Sequence, residues 1–275
     1  MTTTIKDVLT ILREPLAVHT AISPAQPPSG RADTLKFGSM DTVVTGIVVS
    51  FMATVQVIEQ AISLRANLII THEGTFYSHT DTFERSLIDN PIYEAKKKLI
   101  DESGIAIYRC HDDIHAYKPD GIMDGLLHTL GWQQHVLEHL AAASIVSLPQ
   151  SRTGLEIIDH VKKQLGIQVI RSTGDLSLHC RRIGVLVGYR GGGPVAIPIL
   201  EQHNLDLLIY GEGPEWETPE YVRDANVLGQ LKTLIVLGHA ESEQPGMKLL
   251  AERLDLRLPD IPTTFIPVEP VFQIV

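Results

Sequence analysis

Apolar residues recur near the start of the chain at Ile5, Val8, Leu9 and Leu12, the spacing of a helix that buries one face. Downstream, short continuous apolar runs alternate with amphipathic stretches. The runs Val44–Ser50, Asn67–Thr71 and Gly104–Arg109 predict strands, with helices over Thr54–Arg65 and Pro91–Ser103. After Leu148, where Pro149 and Gly154 punctuate the chain, the rhythm resumes. Helix Leu155–Leu165 leads to strands Val169–Ser172 and Ile183–Gly188, helix Pro194–His203 and strand Asp206–Tyr210. Strand Thr233–Leu237 and helix Pro245–Leu254 follow, and the alternating tail Thr264–Val275 predicts a final strand. Strands separated by helices point to an α/β fold.

The chain also repeats itself. Thr45–Val49 and Gly184–Gly188 both open strand–helix–strand units that read as equal in length. The first unit ends in His72-Glu73-Gly74 and the second in Gly211-Glu212-Gly213, which sets Glu73 opposite Glu212. Later, Ile107–His111 matches Ile235–His239, and each histidine is followed four residues on by His115 or Glu243. The expectation is two related halves, about 1–148 and 149–275, within one domain spanning 1–275.

Composition narrows the partners. With 23 basic and 33 acidic side chains the formal charge is −10, so a nucleic-acid backbone is repelled on average. The one dense basic run, Lys96-Lys97-Lys98, reads as a solvated helix face. No apolar run approaches the roughly 18 residues needed to span a bilayer. The charged stretch Met1–Pro15 lacks a signal-peptide core, and the two cysteines, Cys110 and Cys180, form no CxxC pair. A cytoplasmic address is expected.

Chemistry concentrates at strand ends, where sites of open α/β sheets gather. Three predicted strands run into histidine: one into His72-Glu73, one into His111 and His115, one into His239 and Glu243. Imidazoles and carboxylates together suit zinc, iron or manganese, and three His with two Glu suffice for two ions. The HxxxH and HxxxE spacings are read as loops, because they follow strands directly and Pro245 reads as the start of the next helix. The turn Gly188–Pro194 suits either a phosphate at a helix N-terminus or a tight turn without a ligand. Cys110 reads as a small buried residue, and His79 and Asp81 as exposed loop residues. His128, His160 and His203 read as structural or surface residues, and Glu215 and Trp216 as a pocket mouth or packing.

The motifs Ile69-Ile70-Thr71-His72-Glu73-Gly74, His111-Asp112-Asp113-Ile114-His115 and Gly238-His239-Ala240-Glu241-Ser242-Glu243 resemble those of a known family. It comprises the dinuclear-metal proteins called GTP cyclohydrolase I type II-like, or Ngg-interacting-factor-like. The likeness runs from Asp41 to about Leu256 and includes Arg182–Gly193 and Gly211-Glu212. It departs from the family pattern at Glu73, where His is usual, and at His115, where Asp is usual. The resemblance implies two α/β halves packed around a shared dinuclear metal site. Its ligands would be His72, Glu73, His115, His239 and Glu243, with Glu243 bridging. It further implies a toroidal homohexamer and a metal-dependent, cyclohydrolase-like hydrolase acting on a nucleotide or a small phosphorylated or cyclic metabolite. The alternative is a non-enzymatic scaffold that binds metal or recruits partners.

Overall fold

The computed structural model describes residues 2–14, 32–79 and 89–273, so Asp81 lies outside the described residues. The chain falls into two compact units, Met1–Gly121 with Met247–Val275, and Ile122–Gly246. Residue 148, where the sequence expectation divides the chain, lies inside a strand of the second unit.

The first unit opens with α1 (Ile5–Arg13). Thr4 caps it in a reciprocal capping box with Asp7, and Ile5, Val8, Leu9 and Leu12 are buried as their spacing requires. Strands β1 (Leu35–Phe37) and β2 (Ile47–Ser50), helix α2 (Val55–Ser63) and strand β3 (Leu68–Thr71) follow. Next come α3 (Pro91–Ser103), β4 (Ala106–Arg109) and the single turn α4 (Asp112–Ala116). Asn90 caps α3 with Pro91 in its first turn, and Gly104 ends it in the left-handed conformation at φ 66°.

The second unit takes in α5 (Gly121–Leu130) from Ile122 onward, then β5 (Val136–His139), β6 (Ser144–Thr153) and α6 (Gly154–Leu165). It continues with β7 (Arg171–Gly174), β8 (His179–Val185), α7 (Gly193–Gln202) and β9 (Leu207–Tyr210). Then come α8 (Thr218–Val227), β10 (Thr233–Val236) and α9 (His239–Arg257), whose last turns belong to the first unit, as does β11 (Thr263–Phe265).

Each unit is built on its own sheet. The first has strand order β1-β4-β3-β2-β11, with β4, β3, β2 and β11 parallel and β1 antiparallel at the edge. The second has order β5-β6-β8-β9-β10-β7, with β8, β9 and β10 parallel between antiparallel flanks. Every residue of β2, β3 and β4, and of β9 and β10, is buried. That explains why these strands read as unbroken apolar runs rather than alternating ones. In the first unit Val48, Ile69 and Ile107 lie in register on one face and pack with Val57, Ile58 and Ala61 of α2 and Tyr93 and Ile100 of α3. Among the described residues, no helix is long and apolar enough to cross a membrane.

Several sequence expectations need correction. The two strand–helix–strand units are not equal: Ile47 pairs with Leu68 but Ile183 with Leu207, so the second is three residues longer. The surplus lies in the loop before α7, where the glycines cluster. Among the described residues of the tail, only Thr264 and Phe265 are in a strand, which spans Thr263–Phe265. Lys96 is not on a solvated face: it is 3% exposed, its Nζ donates to Thr75 O at 2.5 Å, and the Phe76 and Tyr77 rings lie 5.3 Å away. Lys97 and Lys98 do sit on that face, paired with Asp101 and Glu102 one turn on. Strand β6 runs through Pro149, and its ladder with β8 is irregular between Ser147 and Arg152, where a proline costs no regular bond.

Helix α5 meets the start of α9 through two glycines, Gly125 and Gly246. A Cβ added at Gly125 would stand 2.6 Å from both Gly246 N and Pro245 O. Gly125→Ala is therefore expected to destabilise the protein by about 1–3 kcal/mol through overpacking against backbone. The urea unfolding midpoint measures this, and an unchanged midpoint would show that the two helices have room to part.

Candidate metal centre

All the candidate donors lie just past the carboxyl ends of parallel strands. In the first unit, His72 and Glu73 follow β3, and the amides of both donate to Phe51 O beyond β2, at 3.1 and 2.9 Å. His111 follows β4 and caps α4, which carries His115. His115 N donates to His111 O at 3.3 Å, so one helical turn stacks the two side chains on the same side. The loop expected there is thus a helix. Its stabilising group is distant in sequence: buried Asp33 accepts the amides of His111, Asp112 (3.0 Å) and Asp113 (2.5 Å). Burial raises the Asp33 pKa, and the amide bonds oppose that rise. No local motif could have announced it.

Each imidazole is oriented through Nδ1. In the first unit, His72 Nδ1 meets Cys110 O at 3.1 Å, His111 Nδ1 meets Asp112 Oδ1 at 2.9 Å, and His115 Nδ1 meets Asp120 Oδ2 at 2.9 Å. Carbonyl and carboxylate oxygens only accept, so Nδ1 carries a proton in each ring, and a neutral ring has its lone pair on Nε2. His72 is fully buried, and the side chains of His111 and His115 are 17% and 16% exposed. Burial, with the neighbouring His72, lowers the His111 pKa to about 4, which keeps that ring neutral near pH 7. Cys110 is itself fully buried, and burial raises its thiol pKa well above the ordinary value.

Glu73 has a buried partner that sequence reading missed. Arg109, 0% exposed at the end of β4, sets its NH2 group 3.0 Å from Glu73 Oε2 and donates from Nε to His72 O at 3.1 Å. The same guanidinium bonds the His79 carbonyl and lies 3.1 Å from His79 Nδ1, so His79 joins the cluster although its side chain is 60% exposed. The other Glu73 oxygen lies 3.6 Å from His111 Nε2. The available signal was an arginine closing the apolar run Ala106-Ile107-Tyr108.

The second unit presents His239 and Glu243 on the first turn of α9, which begins six residues before Pro245. The proline was expected to start this helix; instead the helix runs through it, without the amide bond a proline cannot make. His239 Nδ1 meets Glu212 Oε1 at 2.8 Å, so Nδ1 carries a proton, and Nε2 lies 3.1 Å from Glu243 Oε2. Glu243 is 3% exposed. A lone-pair nitrogen and a carboxylate oxygen held this close repel unless a proton or cation accompanies them, so the pair suits a metal ion. Room for them comes from Gly188, at φ 56°: a Cβ there would collide with Glu243 Oε1 and stand 3.1 Å from His239 Nε2. Ser242 Oγ locks the same corner by accepting from Gly188 N at 2.9 Å and donating to His239 O at 2.8 Å.

Both units oppose a glutamate after one strand to a histidine after the next, Glu73 with His111 and Glu212 with His239. The match is of contacts and not of ladder position, because register sets Leu234 level with Leu208 and Ile107 level with Ile69. Counted along those strands, His239 stands where Asp112 does. The Gly-rich turn resolves as well: Glu217 Oε2 accepts from Gly193 N at 2.6 Å, so a carboxylate of the chain itself holds the start of α7. Trp216 is 76% exposed and does not pack, while Glu215 pairs with Arg171 at 2.7 Å. His128 and His160 lie in α5 and α6, bonded to Gln133 and to Leu130 O.

Comparison with known proteins agrees with these motifs. A profile of the family Duf34/NIF3 (NGG1p interacting factor 3) matches residues 3–271. A Clostridium perfringens protein named GTP cyclohydrolase 1 type 2 homolog is 25% identical over 233 residues, covering 82% of this chain and 83% of its own. The crystal structure of Staphylococcus aureus hypothetical protein SA1388 matches with TM-score 0.74 at 18% identity, over 100% of both chains. A Bacillus cereus protein related to NIF3 matches with TM-score 0.71 at 16% identity, over 99% of both.

Two outcomes are expected. Gly188→Ala should strain a left-handed residue and displace Glu243 and His239, weakening zinc binding by about 10–100-fold in a chelator competition. Metal-free protein should also respond to acid through His111. Its folded pKa of about 4 lies below the 6.5 of an unperturbed histidine, so unfolding takes up a proton. The contribution is fully present above about pH 6.5 and is lost as pH falls towards about 4, a change on the order of 3 kcal/mol. Urea melts across that range should show a shallower pH dependence in His111→Asn; an identical slope would remove His111 as the cause.

Proposed function

Because the chain belongs to the Duf34/NIF3 family, we propose that it is a metal-dependent hydrolase holding two divalent ions through His72, Glu73, His115, His239 and Glu243. The observation that carries this reading is the common orientation of the histidines. His72, His115 and His239 each engage Nδ1 with an oxygen acceptor and so offer Nε2 as a donor. Asp120 and Glu212 supply carboxylates behind two of them, which raises the basicity of the ring. The donor set is nitrogen and oxygen only, which suits zinc, iron or manganese.

Bound ions would supply Lewis-acid polarisation and an acidified water for attack on a substrate bond. The chain's own residues prepare the site. Arg109 holds Glu73 in place and balances its charge, Ser242 fixes the first turn of α9, and Asp33 fixes α4. The substrate class that fits is a nucleotide or a small phosphorylated or cyclic metabolite, whose negative charge the ions would offset against a chain of net charge −10. The relative named as a GTP cyclohydrolase 1 type 2 homolog supports a cyclic nucleobase among the substrates to try first.

Elemental analysis of protein purified without chelator and reconstituted with zinc or manganese should find close to two ions per chain. One ion or fewer would overturn the two-ion reading. The same preparation should turn over at least one member of a panel of nucleoside triphosphates, nucleotides and phosphoesters. Two bound ions with no turnover across the panel would favour a scaffold that stores metal or recruits partners.

A further inference from the structure

We propose that a cleft on the sheet of the second unit, floored by Tyr210, Val236 and Leu234 and rimmed by Arg171, Glu215 and Glu220, binds a free α-amino acid with a branched aliphatic side chain. None of these residues is a donor in the metal reading above.

Sheet register builds the floor. Val236 of β10 pairs with Tyr210 of β9 on one side and with Arg171 of β7 on the other. One rung of the sheet therefore sets a phenol, an isopropyl group and a guanidinium side by side on one face. Two residues along the strands, Leu208, Leu234 and Thr173 form the next rung of that face. Val222 of α8 packs with Leu208, Leu234 and Val236. What stays open is a cleft of about 240 Å³, bounded by Glu215 and, at the start of α8, by Pro219 and Glu220. Pockets for drug-sized ligands hold about 300–1,000 Å³, so the occupant here is small.

The second observation is a buried hydroxyl. Tyr210 is 0% exposed, and its hydroxyl has no hydrogen-bond partner among the described residues. Such a group carries a desolvation cost that a bound acceptor removes. The ring packs against Gly191, where a Cβ would stand 2.7 Å from both Cδ2 and Cε2. Burial raises the Tyr210 pKa to about 12, and the charges acting on it are those of Arg171, Glu215 and Glu217. The phenol is therefore protonated near pH 7 and its hydroxyl feels the charged rim.

The third is the charge of that rim. Arg171 donates from NH1 to Glu215 Oε1 at 2.7 Å, and the two side chains are 60% and 79% exposed. An exposed pair is a weak constraint, and this one leaves the rest of the guanidinium fork and the other Glu215 oxygen to a ligand. Glu220, paired with Arg223 one turn on, adds a second carboxylate. One cation and two carboxylates disfavour a bare anion, whereas the phenol and the guanidinium call for an oxygen acceptor. A zwitterion meets both demands. Its carboxylate takes Tyr210 and Arg171, its ammonium takes Glu215 and Glu220, and its aliphatic side chain covers Val236 and Leu234.

The test titrates the full chain with L-leucine in a calorimeter. One molecule should bind per chain, and 4-methylpentanoate and 3-methylbutylamine, which each lack one of the two charges, should bind at least about 10-fold more weakly. Arg171→Gln and Glu220→Gln, both at the exposed rim, should each weaken L-leucine by about 10–100-fold, the scale of one hydrogen bond to a charged group. Tyr210→Phe should weaken it by at least about 10-fold and leave the urea midpoint of the ligand-free chain unchanged or raised, because an unpaired buried group is removed. No saturable binding of L-leucine, equal binding of either analogue, or full affinity in Arg171→Gln would each overturn the proposal. So would a lowered midpoint in Tyr210→Phe, which would mean that the fold itself satisfies the hydroxyl.

Discussion

An imidazole can present either nitrogen to a metal, and unless one is engaged the ring turns between alternatives of similar energy. Here the constraint is an oxygen acceptor behind each ring: a main-chain carbonyl for His72, and the carboxylates of Asp112, Asp120 and Glu212 for His111, His115 and His239. Those four contacts set the tautomer of each neutral ring, and the tautomer sets which nitrogen is left to accept. Much of the surrounding structure serves to hold the acceptors still. Cys110 O is fixed because Cys110 N donates to Thr71 O at 2.7 Å, extending the pairing of β3 and β4 beyond its last residues. Glu212 is fixed because its amide donates to Gly188 O at 2.9 Å.

The elements that were legible in the sequence are those whose stability is local. Helix α3 begins and ends where Asn90, Pro91 and Gly104 say it should, and α6 lies between Thr153 and Gly166 for the same reason. Buried parallel strands are readable because both faces are apolar. Long-range effects hid the rest. Helix α4 has only five residues and depends on a carboxylate far away in the chain, and Pro245 argues locally for a helix start that the fold overrides. The strand ends His72, His111 and His239 were legible as chemistry, whereas Arg109, Asp33 and Asp120 were not. Their roles exist only once strands and turns have brought them beside the histidines.

The two units share one pattern of contacts, made with different side chains. In each, a glutamate past the end of one parallel strand faces a histidine past the end of the next. The first unit then adds a buried arginine to its glutamate, and the second adds a second glutamate to its histidine. Charge is thereby distributed unevenly: imidazole and a neutralised carboxylate in one unit, a more anionic pair in the other. The Gly-rich loop of the second unit, three residues longer than its counterpart, closes on Glu217 rather than on a ligand.

Cys110 lends its carbonyl to His72 while its thiol stays buried and protonated. Sulfur therefore stands next to the histidine cluster in sequence yet is withheld from it as a thiolate. The cluster beside it is thereby left with nitrogen and oxygen donors alone. Packing, rather than the choice of residue, keeps the softest donor of the neighbourhood out of that cluster.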